Sequence, residues 1–323
     1  MNSALPPFAQ ALGDGIWCID TGYHGPAYDA AYLLVDSGRA AFFDTGTNHA
    51  VPRLLATLRS LGLDRDAVDW VIPSHVHLDH AGGAGLLMQE LPTARMLLHP
   101  RGLRHMADPS ALQQAVLAIY GADVVARDYG TLVPVDAARI TATDDGMVVT
   151  LGARRLEFAH TPGHAQHHHC LWDELSGGWF SGDTFGVSYR RFDTARGPWL
   201  MAISTPVQFD PPTLRASVQR LLARQPRTMH LTHFGRVGSS VADVARLGVQ
   251  LLAGIERLVA LGHGTPAGVD RDQRLRAALL QQYRHDARAH GCPDDEAALA
   301  DTLALDIELN AQGLGVWLDR QAQ

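Results

Sequence analysis

The residues HVHLDH at positions 75–80 concentrate three histidines and one carboxylate within six residues. Imidazole nitrogens and carboxylate oxygens are good ligands for zinc and similar divalent cations. His75 and His77 alternate on an extended segment and can face one side, whereas Asp79 and His80 then turn toward a second point. The spacing therefore predicts a metal site rather than a scatter of surface histidines.

Three later segments each present one further candidate ligand on a loop directly after an apolar strand. His164 closes HTPGH, Asp183 lies in SGDT, and His233 lies in LTHFG. Loops held by rigid strands are a sound way to preorganise a metal site. The complete donor set, all nitrogen or oxygen, is His75, His77, Asp79, His80, His164, Asp183 and His233. Such a set accepts zinc, iron or manganese.

Taken in this order, the motifs resemble those of the metallo-β-lactamase superfamily over nearly all of the first 235 residues. The resemblance implies two metal ions, with Asp183 bridging them. The first ion would be bound by His75, His77 and His164, and the second by Asp79, His80 and His233. The segment FDTG at 43–46 also resembles a family motif, in which Asp44 would support a ligand histidine. On its own, Asp44 could equally be a turn or helix-capping residue.

The resemblance implies a hydrolase that uses a hydroxide bridging two divalent ions, most simply zinc because hydrolysis needs no redox chemistry. Two ions contribute +4 and two ligand aspartates with the hydroxide contribute −3. The remaining charge of about +1 favours an oxyanion or an anionic substrate group. We expect cleavage of a small ester, thioester or lactone, and assign Asp79 to catalysis as well as to metal binding.

Two other kinds of function stay open. One is a mononuclear-iron oxidoreductase similar to the persulfide dioxygenases of the same superfamily. The other is a non-catalytic, metal-containing effector or binding protein. Metal analysis, oxygen consumption and a hydrolase panel would separate them.

Four further residues are weaker candidates. Asp44, His167, His168 and Tyr189 could hydrogen-bond a ligand or contact substrate. For His167 and His168 the alternative is an ordinary strand position, and for Tyr189 it is a surface loop.

Composition narrows the partners. The net charge is −7 with no basic stripe, which argues against nucleic acid. All 27 basic residues are arginine, so a Schiff-base or phosphate-loop lysine is excluded. Glyoxalase II, a member of the superfamily that the motifs resemble, binds glutathione partly through lysines, so this resemblance disfavours a glutathione thioester here. No apolar run is long enough for a membrane span, and the N-terminus does not resemble a secretory signal. We therefore expect a cytoplasmic protein with a small-molecule substrate.

The elements that must position these residues change character along the chain. Short apolar runs separated by turns dominate the first 235 residues, and helical periodicity dominates thereafter, over 241–261, 271–290, 294–305 and 307–320. Together with the resemblance this predicts an α/β fold, an αββα sandwich of two mixed sheets flanked by helices. We place the catalytic domain at 1–235 and a helical region at 236–323. That region would be a cap or, through an apolar face that includes Leu251 and Ile255, the interface of a homodimer.

Overall fold

The N-terminal part of the chain folds into a seven-stranded mixed sheet whose strands follow one another in chain order. The structure is a computed structural model that describes residues 4–205, 207–292 and 295–322. Strands β1 to β4 are antiparallel neighbours, and β4 to β7 are parallel. The strands are β1 Ala9–Gly13, β2 Ile16–Asp20, β3 Ala30–Asp36, β4 Arg39–Phe43, β5 Val68–Ile72, β6 Arg95–Leu98 and β7 Ile140–Ala142.

A second, six-stranded sheet has the order β13-β12-β11-β10-β9-β8. Strands β8 to β11 are antiparallel neighbours, whereas β11 and β12 are parallel, so this sheet is also mixed. Its strands are β8 Val148–Leu151, β9 Arg154–His160, β10 His169–Asp173, β11 Gly178–Gly182, β12 Thr228–Leu231 and β13 Gly235–Val237.

The two sheets share a core because each offers a buried apolar face. Tyr32 and Phe43 of the first sheet belong to one cluster with Phe158 and Phe180 of the second. The opposite face of the first sheet is covered by short helices, whose apolar residues include Leu54. Those helices are α1 Val51–Ser60, α2 Leu78–Ala81, α3 Ala84–Glu90 and α4 Leu103–Ala107. Helices α5 Ser110–Tyr120 and α6 Ala122–Asp128 follow in the chain, and α5 contacts both α4 and α6.

The remaining helices are α7 Pro211–Ala223, α8 Val241–Gly264, α9 Arg271–His290, α10 Glu296–Thr302 and α11 Ala304–Gln321. Asp210 caps α7 by accepting a hydrogen bond from the N–H of Thr213, and α9 ends at Gly291 with φ +87°. Helix α11 packs on α8 and α9, and α7 packs on α8. Leu251 and Ile255 of α8 are buried, so this part of the predicted apolar face belongs to the core.

Short 3₁₀ turns complete the description, at Asn48–Ala50, Arg65–Ala67, Pro100–Gly102, Ala137–Arg139 and Arg190–Phe192. None of the helices in the described ranges is both long enough and apolar enough to cross a membrane.

The chain divides into two compact units. The first comprises the described residues of 1–160, 167–182 and 227–236, and includes both sheets almost entirely. The second comprises those of 161–166, 183–226 and 237–323. The predicted domain boundary at residue 235 stays a prediction.

The predicted fold class is confirmed: two mixed sheets are flanked by helices, and the C-terminal region is helical. Helices predicted at 241–261 and 271–290 form α8 and α9, and those predicted at 294–305 and 307–320 form α10 and α11. Residue 294 lies outside the described residues. Strand β1 was not predicted because AQALG lacks a regular apolar alternation, and in the structure the strand is part-exposed.

Candidate metal centre

The histidine-rich segment follows strand β5, at the edge of the first sheet where β4 and β5 end. Strands β4 and β5 run parallel with Phe43 opposite Ile72, so the residues that follow them emerge at the same edge. His75 and His77 come from the extended stretch after β5, and Asp79 and His80 lie in α2. His75 and His80 are fully buried, whereas His77 and Asp79 are half-buried. The fold thus holds the ligand segment on a strand end, with two side chains at the surface.

Asp44 is the hydrogen-bonding centre beneath this segment. Its Oδ1 accepts from the N–H of Ser74 at 2.6 Å, and its Oδ2 accepts from the Thr232 hydroxyl at 2.6 Å. The same oxygen lies 2.9 Å from Nδ1 of His80. Asp44 is fully buried at φ +56°, a left-handed conformation that aspartate tolerates better than most residues. The buried carboxylate of Asp44 therefore orients one histidine from a backbone conformation that few non-glycine residues adopt.

Three of the predicted ligands converge within the first unit. Nε2 of His233 lies 3.4 Å and Nε2 of His80 lies 3.8 Å from the same Oδ2 of Asp79. One donor atom from each residue lies within 4.8 Å of the others. His233 reaches this point from the end of β12, and its Nδ1 is 3.1 Å from the carbonyl oxygen of Tyr28.

These three residues fit a divalent metal ion. Each imidazole has Nδ1 beside an oxygen acceptor, the Asp44 carboxylate for His80 and the Tyr28 carbonyl for His233. Donation from Nδ1 selects the tautomer whose Nε2 lone pair can bind a metal, and both Nε2 atoms face Asp79. Oriented neutral imidazoles around a carboxylate form the donor set that zinc and similar ions prefer.

His75 and His77 form a second pair of donors in the same unit. Nε2 of His75 lies 2.7 Å from Nδ1 of His77, and Nδ1 of His75 lies 3.0 Å from the Ser74 hydroxyl. At this separation the two nitrogens can share a proton or converge on a cation. Ser74 thus supports His75, which in turn contacts His77.

His167 and His168 border this pair. The ring of His167 is stacked on that of His75 at a centroid distance of 6.0 Å, and the ring of His168 lies 4.9 Å from the same His75 ring. Nδ1 of His167 accepts from the N–H of Val76 at 3.4 Å. Both residues thus pack around a predicted ligand, and their contact with substrate stays a prediction.

His164 and Asp183 are paired within the second unit. Nε2 of His164 lies 3.3 Å from Oδ2 of Asp183, and both side chains are buried. Nδ1 of His164 lies 2.9 Å from the hydroxyl of Thr205. Gly163 makes this turn possible, because its φ is +127° and a Cβ there would lie 2.3 Å from the backbone nitrogen of Leu214. This histidine repeats the orientation seen at His80 and His233.

Tyr189, also in the second unit, is buried, and its hydroxyl donates to the carboxylate of Asp306 at 3.0 and 3.1 Å. A substrate contact by this residue stays a prediction.

An aromatic group near Asp79 and His233 was not predicted from the sequence. The hydroxyls of Tyr23 and Tyr129 lie 2.7 Å apart, and the Tyr28 ring is edge-on to His233 at 5.8 Å. Burial raises the pKa of Tyr23, and the negative charge of Asp79 raises it further. No motif links these tyrosines, since two lie in a glycine-containing loop and the third more than 100 residues later, so only the fold reveals them.

A buried carboxyl group, Asp29, is a second feature that the sequence did not indicate. Burial raises the pKa of Asp29 to about 7, while the neighbouring His233 and His80 lower it. Its Oδ2 accepts a hydrogen bond from the Thr21 hydroxyl at 2.6 Å.

Comparison with known proteins identifies the family. The family model described as the metallo-beta-lactamase superfamily matches residues 24–242, which is more than half of the chain. The chain belongs to the metallo-β-lactamase superfamily.

Individual relatives are distant. The chain is 24% identical over 224 residues to the metallo-beta-lactamase fold-containing protein ST1585 of Sulfurisphaera tokodaii, covering 68% of this chain and 77% of the relative. It is 31% identical over 206 residues to the human acyl-coenzyme A thioesterase MBLAC2, covering 56% of this chain and 67% of the relative.

Among solved structures, the metallo-beta-lactamase family protein TTHA1429 of Thermus thermophilus matches with a TM-score of 0.64 and 21% identity. That match covers 97% of this chain and 95% of the other. At this identity the likeness shows the fold alone.

Proposed function

We propose that this protein is a metal-dependent hydrolase that cleaves a thioester or a related ester or lactone. The observation that carries the proposal is the convergence of Asp79, His80 and His233, with both imidazoles oriented from behind. By the family resemblance, a second divalent ion would be held by His75, His77 and His164, and Asp183 would be a ligand of both ions. Zinc is the proposed metal because hydrolysis needs a Lewis acid but no redox chemistry.

Divalent ions held here would lower the pKa of a water molecule toward neutrality and polarise the carbonyl group under attack. The chain's own residues prepare that chemistry. Asp79 presents one carboxylate oxygen to both histidines, and Asp44 and the Tyr28 carbonyl fix the two rings. Such preorganised ligands need no rearrangement when the reaction begins.

The choice of a thioester rests on relatives and on chemistry. The human and bovine MBLAC2 proteins, each 31% identical to this chain over 206 residues, are acyl-coenzyme A thioesterases. In the aromatic group formed by Tyr23, Tyr28 and Tyr129, Tyr23 is buried, whereas Tyr28, beside His233, and Tyr129 are half-buried and would offer an amphipathic surface to an acyl group. Hydrolysis by a metal-activated water also requires none of the lysine nucleophiles that this sequence lacks.

The test measures bound metal and turnover on the same preparations. Wild-type protein, Asp79→Ala, Asp183→Ala and the control His285→Ala, an exposed histidine, are compared on an acyl-coenzyme A, an aryl ester and a lactone. We expect the aspartate variants to lose metal and fall to background turnover, and the control to match wild type.

Other outcomes would replace the proposal. Full metal occupancy and full turnover in Asp183→Ala would remove the bridging assignment. Oxygen consumption with a persulfide, in a protein that retains iron and hydrolyses nothing, would identify an oxidoreductase. A protein that binds its full complement of metal but neither hydrolyses any of the three substrates nor consumes oxygen with a persulfide would be a binding protein.

A further inference from the structure

Helix α11 carries two polar side chains, Asp306 and Asn310, that are buried one turn apart on the same face. Buried polar groups in a helix are costly unless they are hydrogen-bonded. The hydrogen-bond partners of Asp306 and Asn310 therefore show which segments of the second unit helix α11 holds in place. Asp306 accepts from the hydroxyl of Tyr189, six residues after Asp183.

Asn310 binds the segment that ends at Thr205. Its Oδ1 accepts from the N–H of Ser204 at 2.5 Å, and its carbonyl oxygen accepts from the Ser204 hydroxyl at 3.0 Å. Its Nδ2 donates to the hydroxyl of Tyr283 in α9 at 2.8 Å. The side chain is fully buried, and its oxygen and its amide group both have partners. Asn310 thus fixes both the backbone and the side chain of Ser204.

Gly313 brings the helix backbone against the same residue. A Cβ at Gly313 would lie 1.4 Å from the carbonyl oxygen of Ser204, so only glycine permits this approach. The two contacts, at Asn310 and one turn later at Gly313, leave little freedom for Ser204.

The residue after Ser204 reaches a predicted ligand. The Thr205 hydroxyl lies 2.9 Å from Nδ1 of His164, whose Nε2 faces Asp183 at 3.3 Å. Donation from Nδ1 to the hydroxyl oxygen leaves the Nε2 lone pair for a metal ion. The path from α11 to His164 therefore runs from Asn310 through Ser204 and Thr205, all within the second unit.

We propose that Asn310 and Thr205 are positioning residues for His164, so that the C-terminal helix α11 supports a metal ligand. This inference rests on the proposed function, since it takes His164 to be a ligand. It assigns to the helical region a task other than covering a pocket or forming a dimer. The hydrogen bond from a ligand histidine to its support is commonly worth about 10- to 100-fold in metal affinity.

The experiment follows zinc affinity and the tautomer of His164 separately. Zinc dissociation constants are measured by competition with a chromophoric chelator. The tautomer is read from the imidazole nitrogen chemical shifts of metal-free protein that carries nitrogen-15-labelled histidine. The signals of His164 are those that disappear in the His164→Gln variant. The variants are Thr205→Val, which removes only the hydroxyl, Thr205→Ser, which restores it, and Asn310→Ala. Gln312→Ala, a half-exposed residue of the same helix, is the control.

We expect Thr205→Val to weaken zinc binding about 10- to 100-fold and to release His164 from the Nδ1-protonated tautomer. We expect Asn310→Ala to change the zinc affinity and the tautomer of His164 in the same direction. In Thr205→Ser and Gln312→Ala both quantities should stay close to those of wild type. Melting temperatures of the metal-free variants show whether a variant is folded. They do not substitute for the tautomer reading.

The inference is overturned if Thr205→Val and Asn310→Ala keep the zinc affinity and the tautomer of the control, whatever their melting temperatures. That failure differs from failure of the proposed function. If His164→Gln itself binds zinc as wild type does, the ligand assignment is wrong. If His164→Gln loses affinity and the positioning variants do not, only the role of α11 is wrong.

Discussion

Two aspartates of the first unit, Asp44 and Asp173, are both fully buried and both accept several hydrogen bonds, but their charges are balanced differently. Asp173 accepts from Nε and Nη2 of Arg154 at 2.7 and 2.5 Å, a buried pair with a permanently charged partner. The ionisable partner of Asp44, among the described residues, is His80. That histidine also faces Asp79, a second carboxylate.

The difference separates a structural carboxylate from one that belongs to a site. The charge of Asp173 is neutralised within the chain, so this pair needs nothing from outside. Around His80 two carboxylates, those of Asp44 and Asp79, meet imidazoles, which carry no permanent charge, and this arrangement favours an external cation. The predictions below test that division, from the largest expected effect to the smallest.

The largest effect is expected at the structural pair. Asp173→Asn leaves the guanidinium of Arg154 buried without a counter-charge, which should lower the free energy of unfolding by about 3–5 kcal/mol. Metal content of the folded protein should not change. Urea unfolding and metal analysis check both, with the exposed ion-pair residue Asp319 changed to Asn as control. If Asp173→Asn lost metal without losing stability, Asp173 would not be a structural carboxylate distinct from Asp44.

The pH dependence of the same pair has a definite sign. Burial alone would raise the pKa of Asp173, but the hydrogen bonds and charge of Arg154 outweigh it and hold the pKa below its usual range. A lowered carboxyl pKa stabilises the fold above the unfolded value of about 3.9 and loses that effect as pH falls further.

Asp44→Asn should instead affect metal binding. Asparagine tolerates the left-handed backbone of this position, so the substitution changes the charge rather than the turn. Asp44 uses both oxygens as acceptors, one for Ser74 and one for His80, whereas asparagine has a single acceptor oxygen and no charge. We therefore expect metal affinity to fall about 10- to 100-fold. Competition with a chelator measures this. An unchanged affinity, with a large loss of stability, would place Asp44 with Asp173.

Two buried histidines extend the comparison, because His230 lies between aromatic rings while His80 lies beside a carboxylate. The His230 ring is stacked on Phe180 at 4.5 Å and edge-on to Tyr32 at 5.5 Å. Burial lowers the pKa of His230 to about 3, although the charge of Asp173 acts in the opposite direction. The imidazole is thus neutral in the fold.

A lowered histidine pKa stabilises the fold above the unfolded value of 6.5, and the effect is lost as pH falls toward 3. For metal-free protein, His230 should account for about 2 kcal/mol of the stability lost between pH 7 and pH 5. His230→Phe should remove that share, as measured by urea unfolding at both pH values. An identical pH dependence in the variant would show that His230 does not titrate in this way.

The smallest effect is expected at the Thr232 hydroxyl, one of the donors to Asp44. Thr232→Val should weaken metal binding about fivefold, equivalent to about 1 kcal/mol for one hydrogen bond. Thr228→Val, in strand β12 and outside the centre, is the matched control. Equal affinities in the two variants would mean that Asp44 is fixed without this hydroxyl.

Sequence reasoning reached the candidate ligands because each lies in a short motif directly after an apolar strand. The strand positions themselves followed from apolar periodicity, as for β5 and β12. Asp44 was found through the FDTG segment, although its contact with Thr232 spans 188 residues.

The supports of the ligands could not be predicted in the same way. The Tyr28 carbonyl carries no side-chain signal, and Thr205 and Asn310 lie in no motif. Tyr23 and Tyr129 meet across 106 residues, and Ser204 and Asn310 also across 106. Such contacts depend on how helices and loops pack in three dimensions, which periodicity does not specify.

The central claim is that Asp79, His80 and His233 hold a divalent ion. Anomalous X-ray diffraction at the zinc edge, on crystals of zinc-loaded protein, tests it most directly. The account predicts a strong anomalous peak within bonding distance, about 2 Å, of Nε2 of His80, Nε2 of His233 and a carboxylate oxygen of Asp79. Well-ordered density for these three side chains with no anomalous peak between them would contradict it.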